Sequence, residues 1–316
     1  MTVAVSGPGV GHGPEVSVRV PATAANIGPG YDSFGIAMGR YDDLRARLTD
    51  GPVRVTVTGV AAADVPRDAS HLVVRSAARV FAELGEPAHA IDLICENRIP
   101  HGSGQGSSAS ATVAGMLLAR ELVPAGAQLG LDDILRLATE MEGHPDNVGP
   151  TIYGGLTVSW VRDNGSVGCI RREVHPQIRL VVFTAGSHSS THTTRAMLPK
   201  LVPHADAAAN SAATAVLLHA MTDDPGYLMD GTIDRLHQSY RASAMPESAQ
   251  LVAELRSAGI PAVISGAGAS VLAIVDRPLD VHAWQPVGFV ADELSVDQAG
   301  AQVSVEVPSG GSENRS

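Results

Sequence analysis

One stretch limits what this chain can become more than any other: Pro100-His-Gly-Ser-Gly-Gln-Gly-Ser-Ser-Ala-Ser110, which runs without a break into an apolar segment, Ala109–Val123. Gly102, Gly104 and Gly106 stand at alternate positions, so the backbone can turn in ways closed to other residues and approach a ligand closely. The apolar segment predicts a helix, and the first N–H groups of a helix have no partner within it. Ser107 and Ser108 therefore add hydroxyls to a cluster of free amides at a helix mouth, which suits an anion and above all a polyphosphate. No Gly-Lys-Ser/Thr follows, so the loop is not of the Walker type. It also lacks the βαβ setting and downstream acid of a dinucleotide fingerprint. The plainer alternative for the stretch alone is a flexible linker with a serine cap on the helix.

Such a site would have to work against the bulk charge. With 33 acidic and 22 basic residues the chain carries a net −11, a field that repels nucleic acid and anionic membranes and also repels ATP. Attraction must then be local: amides, a helix N-terminus, a bound cation, a few placed arginines. Residues 1–14 read as a mobile leader without the charged start and apolar run of a signal peptide, and 308–316 as a flexible tail. With no membrane-length apolar run, the expected location is the cytoplasm, with neither nucleic acid nor membrane as a partner. Cys95 and Cys169 lie in strand-like segments without metal or redox spacing and read as free thiols, although counting alone does not exclude a disulfide.

Between the ends, strands and helices mix. Val16–Val20 reads as a strand stopped by Pro21. Leu44, Ala46 and Leu48, and Val53, Val55 and Val57, read as half-exposed antiparallel strands around an Asp50-Gly51-Pro52 turn. Ser70–Gly85 reads as a helix capped by Ser70, Ile91–Ile99 as a strand, and Asp132–Glu142 as an amphipathic helix. Strand character resumes at Gly155–Val161 and Ile178–Ala185. Helices are expected near Ala205–Met221 and Glu247–Ala258, then a strand–loop–strand unit over Ala262–Val275. The order lacks strict βαβα alternation, which favours an α+β plan.

Four more groups carry chemistry. Asn26 and Asp32 flank a Gly28-Pro29-Gly30 turn, which would aim both at one cavity or merely form an Asx-capped turn. Glu142, His144, Asp146 and Asn147 cluster at a helix end, and a carboxylate there suits Mg²⁺. No second histidine has zinc-ligand spacing. Ser265-Gly-Ala-Gly-Ala-Ser270 is a turn between apolar strands that would let backbone approach a ligand. Arg195 and Arg241 are either surface charges or a pair suited to a planar carboxylate.

In this order the pieces resemble the GHMP kinases, a superfamily that includes galactokinase, homoserine, mevalonate and phosphomevalonate kinases. The match is closest to the homoserine kinase branch and runs from about Val18 to Val275. Val20–Gly35 is similar to its P-A-T-S-A-N-L-G-P-G-F-D-S-L-G segment, Glu142–Gly155 to E-G-H-P-D-N-V-A-P-x-x-x-G-G, and Ser265–Ser270 to S-G-A-G-P-S. The resemblance implies an α+β, two-lobed GHMP kinase fold. An N-terminal ribosomal-protein-S5-like lobe would span 15–165, and a C-terminal ferredoxin-like lobe 166–307. It implies ATP and Mg²⁺ as cofactors, L-homoserine as the small-molecule substrate, phosphorylation to O-phospho-L-homoserine in threonine biosynthesis, and allows a homodimer.

By the same resemblance, Pro100, His101, Gly102, Ser103, Gly104, Gln105, Gly106, Ser107, Ser108, Ala109 and Ser110 would surround the ATP phosphates. Ser108 and Glu142 would hold Mg²⁺, with Glu140 as the alternative acid. Asn26, Asp32, His144 and Asp146 would bind the hydroxyl and amino groups, with Asp32 and Asn26 the catalytic pair. Arg195 and Arg241 would hold the carboxylate, Thr191 would touch substrate or γ-phosphate, and Gly266 and Gly268 would line the substrate end. Ala25, Gln105, Gly149 and Ala269 depart from the usual Ser, Leu, Ala and Pro; none removes an expected ligand. The rival readings are a kinase of the same superfamily for a mevalonate-type or sugar alcohol, and a silent binding module. Asp146 suits an ammonium group that mevalonate lacks, and a silent relative would be expected to have lost Asp32 or the metal carboxylate.

Overall fold

In the computed structural model, which describes residues 11–186 and 191–306, the first half of the chain builds most of a seven-stranded sheet. β1 (Gly11–Ala25) pairs antiparallel with β2 (Phe34–Thr49), and the far part of β2 pairs antiparallel with β4 (Ile91–Asn97). Leu44 and Ala46 are buried while Arg45 and Arg47 face solvent, the alternation of a strand with one covered face. β3 (Arg54–Gly59) lies beside β4, not beside β2, and the pair is parallel. This corrects the expectation of an antiparallel strand there. α1 (Leu72–Glu83) carries the chain back between β3 and β4, so both strands run the same way. His71, not Ser70, caps that helix: its Nδ1 accepts from the Val73 N–H at 3.3 Å, while Ser70 is bonded to Asp68.

α2 (Ser107–Leu122) and α3 (Leu131–Glu142) lie with α1 over one side of this sheet, and Phe81, Leu93, Val113, Met116, Leu117 and Leu137 fill the layer between. Each such side chain removed from water contributes about 1.5–3 kcal/mol. α4 (Val148–Tyr153) follows, and β5 (Leu156–Val161) joins the near end of β2 and pairs with β6 (Val167–Arg172).

The second sheet has the order β10 (Phe289–Leu294), β7 (Arg179–Ala185), β9 (Val271–Val275), β8 (Ala262–Ile264), all antiparallel. Numbered within this unit the order is fourth, first, third, second, the ferredoxin-like arrangement. Between β7 and β8 come α5 (Thr191–Ala196), α6 (His204–Thr222), α7 (Leu228–Gly231), α8 (Gln238–Arg241) and α9 (Pro246–Ser257). α10 (Val281–Trp284) precedes β10. A shared core of Ile27, Ile36, Met38, Leu180, Leu217 and Ile274 joins the two sheets.

The lobes expected at 15–165 and 166–307 interleave. β6 belongs to the first sheet, and β11 (Gln302–Glu306) returns to it to pair antiparallel with β1. The leader expected over 1–14 is in part strand, since β1 starts at Gly11. Residues 1–10 and the tail at 308–316 lie outside the described residues. Cys95 is buried in β4 and Cys169 half-buried in β6, and both are free. Burial pushes the Cys95 thiol up to about 12. Among the described residues no helix is long and apolar enough to cross a membrane.

Candidate active site

The glycine loop and the mouth of α2 line a cleft of about 320 Å³, closed on the other side by Glu142, His144, Asn147 and the turn Gly266–Gly268. α2 starts at Ser107, two residues before the expected Ala109, because Gly106 takes a left-handed φ of +71° and turns the chain into the helix. No side chain caps this end and its first turn holds no acid, so its N–H groups face the cleft uncompensated. Gly104, with φ +82°, allows the loop to sit directly on the turn at 265–268; a Cβ there would strike the Ser265 carbonyl oxygen. The contact is bonded as well as close: Ser265 Oγ donates to Gly104 O at 2.7 Å and the Ser270 N–H to Ser103 O at 3.1 Å. Gly266 N–H donates to Ala25 O at 2.9 Å. Gly266 and Gly268 thus sit against the glycine loop.

Two residues expected at the phosphates point elsewhere. Ser110 is fully buried and donates to Pro21 O at 2.8 Å, because its place on α2 faces β1. The Gln105 side chain is also buried and turns toward the second sheet. Ser108 Oγ and Thr112 Oγ1 each donate to Glu142 Oε1 at 2.8 Å, so a hydroxyl and a carboxylate meet at the helix mouth. Glu140 is engaged by Arg79 and Arg136 on the outside of α3, which removes it as the alternative acid. His101 lines a second cavity of about 290 Å³, with Val65, His71, Leu72 and Asn97. This cavity shares Gly102, Ser107 and Ser108 with the first.

On the far side of His144 the side chains are charged and densely paired. Asp32 accepts both Arg195 Nη atoms, at 2.7 and 2.8 Å, and this bond holds the Arg195 guanidinium above its ordinary value. Asn26 and Asp32 both have φ +54°, a left-handed backbone that Asn and Asp tolerate better than most residues. Asn26 Oδ1 accepts from the Asp32 N–H at 2.8 Å. Asp146, with no exposure, accepts from His144 Nδ1 at 2.6 Å and raises the imidazole above its ordinary value, against the opposing effect of burial. Its second oxygen has no partner among the described residues. Arg241 is 2% exposed, and its Nε and Nη1 are likewise without partners there. Burial lowers its pKa, yet a guanidinium stays charged. α5 places Thr191 at its first position; that side chain lies outside the described residues.

Sequence reasoning missed Tyr31 and the groups that hold its loop. Both arginines lie over the Tyr31 ring, Arg195 Cζ 5.5 Å and Arg241 Cζ 5.2 Å from its centroid. His237 Nε2 donates to Gly28 O at 2.8 Å, Asn210 Nδ2 to Pro29 O at 2.9 Å and Thr214 Oγ1 to Pro29 O at 3.1 Å. Asn210 and His237 fall inside the span of the resemblance, but nothing local marked them as supports for Asp32.

The comparisons agree with this geometry. Residues 71–155 match the family described as GHMP kinases N terminal domain, and 217–285 that described as GHMP kinases C terminal. Homoserine kinase of Streptomyces coelicolor is 48% identical over 292 residues, 91% of this chain and 94% of that protein. The Streptomyces avermitilis homoserine kinase is 47% identical over 91% of this chain and 95% of its own length. The crystal structure of homoserine kinase from Cytophaga hutchinsonii superposes with a TM-score of 0.77 at 26% identity, covering 92% of this chain and 97% of that one. With that identity along nearly the whole length of both chains, the chain belongs to the homoserine kinase family of the GHMP kinases.

Proposed function

We propose that the chain transfers the γ-phosphoryl group of ATP to the side-chain hydroxyl of L-homoserine, giving ADP and O-phospho-L-homoserine. The observation that carries the substrate assignment is Arg241: a buried guanidinium with two unpartnered nitrogens, Nε and Nη1, beside a cleft shaped for phosphate. A buried charge with open donors calls for an anion, and the guanidinium fork matches a carboxylate. The unpartnered Asp146 oxygen, equally buried, supplies the acceptor that an ammonium group needs. The two lie on the recess that also holds Asp32, so an amino acid bound by both ends presents its hydroxyl toward the glycine loop.

The triphosphate would lie along Pro100–Ser108 with its charge at the α2 N-terminus. The purine would occupy the neighbouring cavity, where His71, its Nδ1 taken by Val73 N–H, has Nε2–H left as a donor. Ser108 and Glu142 fit Mg²⁺, which accepts one or two protein oxygens and keeps the rest for water and phosphate. Bound there, the ion would neutralise charge on the β- and γ-phosphates. Asp32 orients the substrate hydroxyl and takes its proton late, since a loose transition state asks more of positioning than of proton abstraction. That role requires Arg195 to exchange part of its bond with Asp32 for the substrate carboxylate. Asn26 holds Asp32 in place through the Asp32 N–H. The division into lobes is functional: the glycine loop comes from the first sheet's side and Arg195 and Arg241 from the second, and catalysis belongs in the cytoplasm, where ATP is.

ADP release measured with homoserine, mevalonate and shikimate in parallel tests this reading. Homoserine-dependent turnover at least a hundredfold above the others is expected; turnover preferring mevalonate would reassign the arginine recess, and ATP hydrolysis indifferent to all three would remove the transferase reading.

A further inference from the structure

Gln105 sits in the middle of the glycine loop, between Gly104 and Gly106, yet its side chain leaves the cleft. It is 1% exposed and makes two hydrogen bonds to different elements. Its Oε1 accepts from Arg40 Nη1 on β2 at 2.6 Å, and its Nε2 donates to Thr184 Oγ1 on β7 at 2.8 Å. Arg40 continues the chain of contacts through Nη2 to Asp292 Oδ2 on β10 at 2.7 Å. The main chain at the same residue is fixed too, since the Thr23 N–H donates to Gln105 O at 3.1 Å. The amide is thereby oriented: a guanidinium can only donate, so the oxygen must face Arg40 and the NH₂ must face Thr184.

The placement has a physical consequence. The flanking glycines have φ +82° and +71° and carry no side chains to anchor them, so the loop has little intrinsic stiffness. Left alone it would have to be ordered each time a triphosphate binds. One buried side chain ties its centre to both sheets at once, one bond being to a charged group and so of the stronger kind. We propose that Gln105 is a positioning residue: a polar strut that holds the phosphate loop in its binding shape by linking it through Arg40 to β2 and β10 and through Thr184 to β7. This inference rests on the reading that the loop takes the triphosphate of ATP.

Steady-state kinetics with ATP and homoserine varied separately provide the test. Gln105→Leu removes both bonds and is expected to raise KM for ATP about tenfold while KM for homoserine stays within twofold. Gln105→Glu can still accept from Arg40 and from the Thr184 hydroxyl, and is expected to bring KM for ATP back to within threefold of the unaltered protein. Arg40→Met should match Gln105→Leu, and the double variant should be no worse than either, since both cut one chain of contacts. Thr184→Val, a milder change, should raise KM for ATP two- to threefold and carries the test if Gln105→Leu fails to fold. An unchanged KM for ATP in the variants that fold overturns the proposal. So do parallel rises in both KM values with Gln105→Glu no better than Gln105→Leu, the result expected of general damage. Failure of the unaltered protein to saturate with ATP would sink the phosphate-loop reading itself, and the strut with it.

Discussion

The two ends of the cleft are built on opposite principles. At the α2 mouth the lining from Pro100 to Ala109 contains no lysine or arginine, and the groups that face an anion are main-chain amides and serine hydroxyls. Across His144 the reverse holds: Asp32 with Arg195, His144 with Asp146, and Arg241 with Tyr31 crowd ionisable side chains into one recess. On the proposed reading, a chain of net charge −11 holds a polyanion at the first end because helix amides act at short range, where the bulk field matters little. The second end must tell one small molecule from another, which needs charges at fixed places. Main-chain recognition is therefore sensitive to added bulk, and side-chain recognition to lost charge.

The largest effect is expected at Asp32. Asp32→Ala should lower kcat by about 10²–10⁴ if the carboxylate takes the proton; a loss under about tenfold would leave it as the counter-ion of Arg195 and no more. Arg241→Met should lower kcat/KM for homoserine by about 10²–10³, as expected when one half of a buried charge pair is removed. KM for ATP should stay within threefold, and a matching rise there would erase the contrast between the ends. Gly104→Ala puts a methyl group against the Ser265 carbonyl at a left-handed φ, a strain of about 1–3 kcal/mol. It should raise KM for ATP by about 5–100-fold without touching homoserine selectivity. Glu142→Gln keeps the shape of the helix mouth and removes its charge, so the Mg²⁺ concentration for half-maximal rate should rise about tenfold; an unmoved titration takes Glu142 out of the metal site.

The smallest effect concerns pH. Asp146 raises the His144 pKa in the folded protein, so the stabilisation from protonated His144 is present in full below its ordinary value near 6.5. It is lost as pH rises through the raised value. Melting temperatures of the unaltered protein and of Asp146→Asn should therefore differ by a few degrees more at pH 6 than at pH 9. A difference independent of pH would mean that the pair is held by its hydrogen bond alone.

How much of this was legible follows from how far apart the partners lie. The glycine loop could be read because its spacing and the helix after it are local. The Gly28–Pro29–Gly30 turn and the Glu142–Asn147 cluster could be read for the same reason. Ser110 was misjudged because one residue of helical rotation decides whether a hydroxyl meets the cleft or Pro21. The direction of the Gln105 side chain was not legible, because the φ values of its glycine neighbours, which sequence does not give, set it. Tyr31, His237, Asn210 and Thr214 matter only through each other, across long stretches of chain, and no short pattern records such a contact. The parallel β3–β4 pair escaped notice because alternation reports which face is covered and says nothing of the neighbour.

The return of β11 to the edge of β1 bears on how the molecule is made. β1 gains its outer neighbour only after the whole second sheet has been made, so the first sheet keeps one border bare through that interval of synthesis. A chain stopped after β10 would retain every residue of the cleft and still expose that border, and its characteristic failure would be clumping, not slow chemistry.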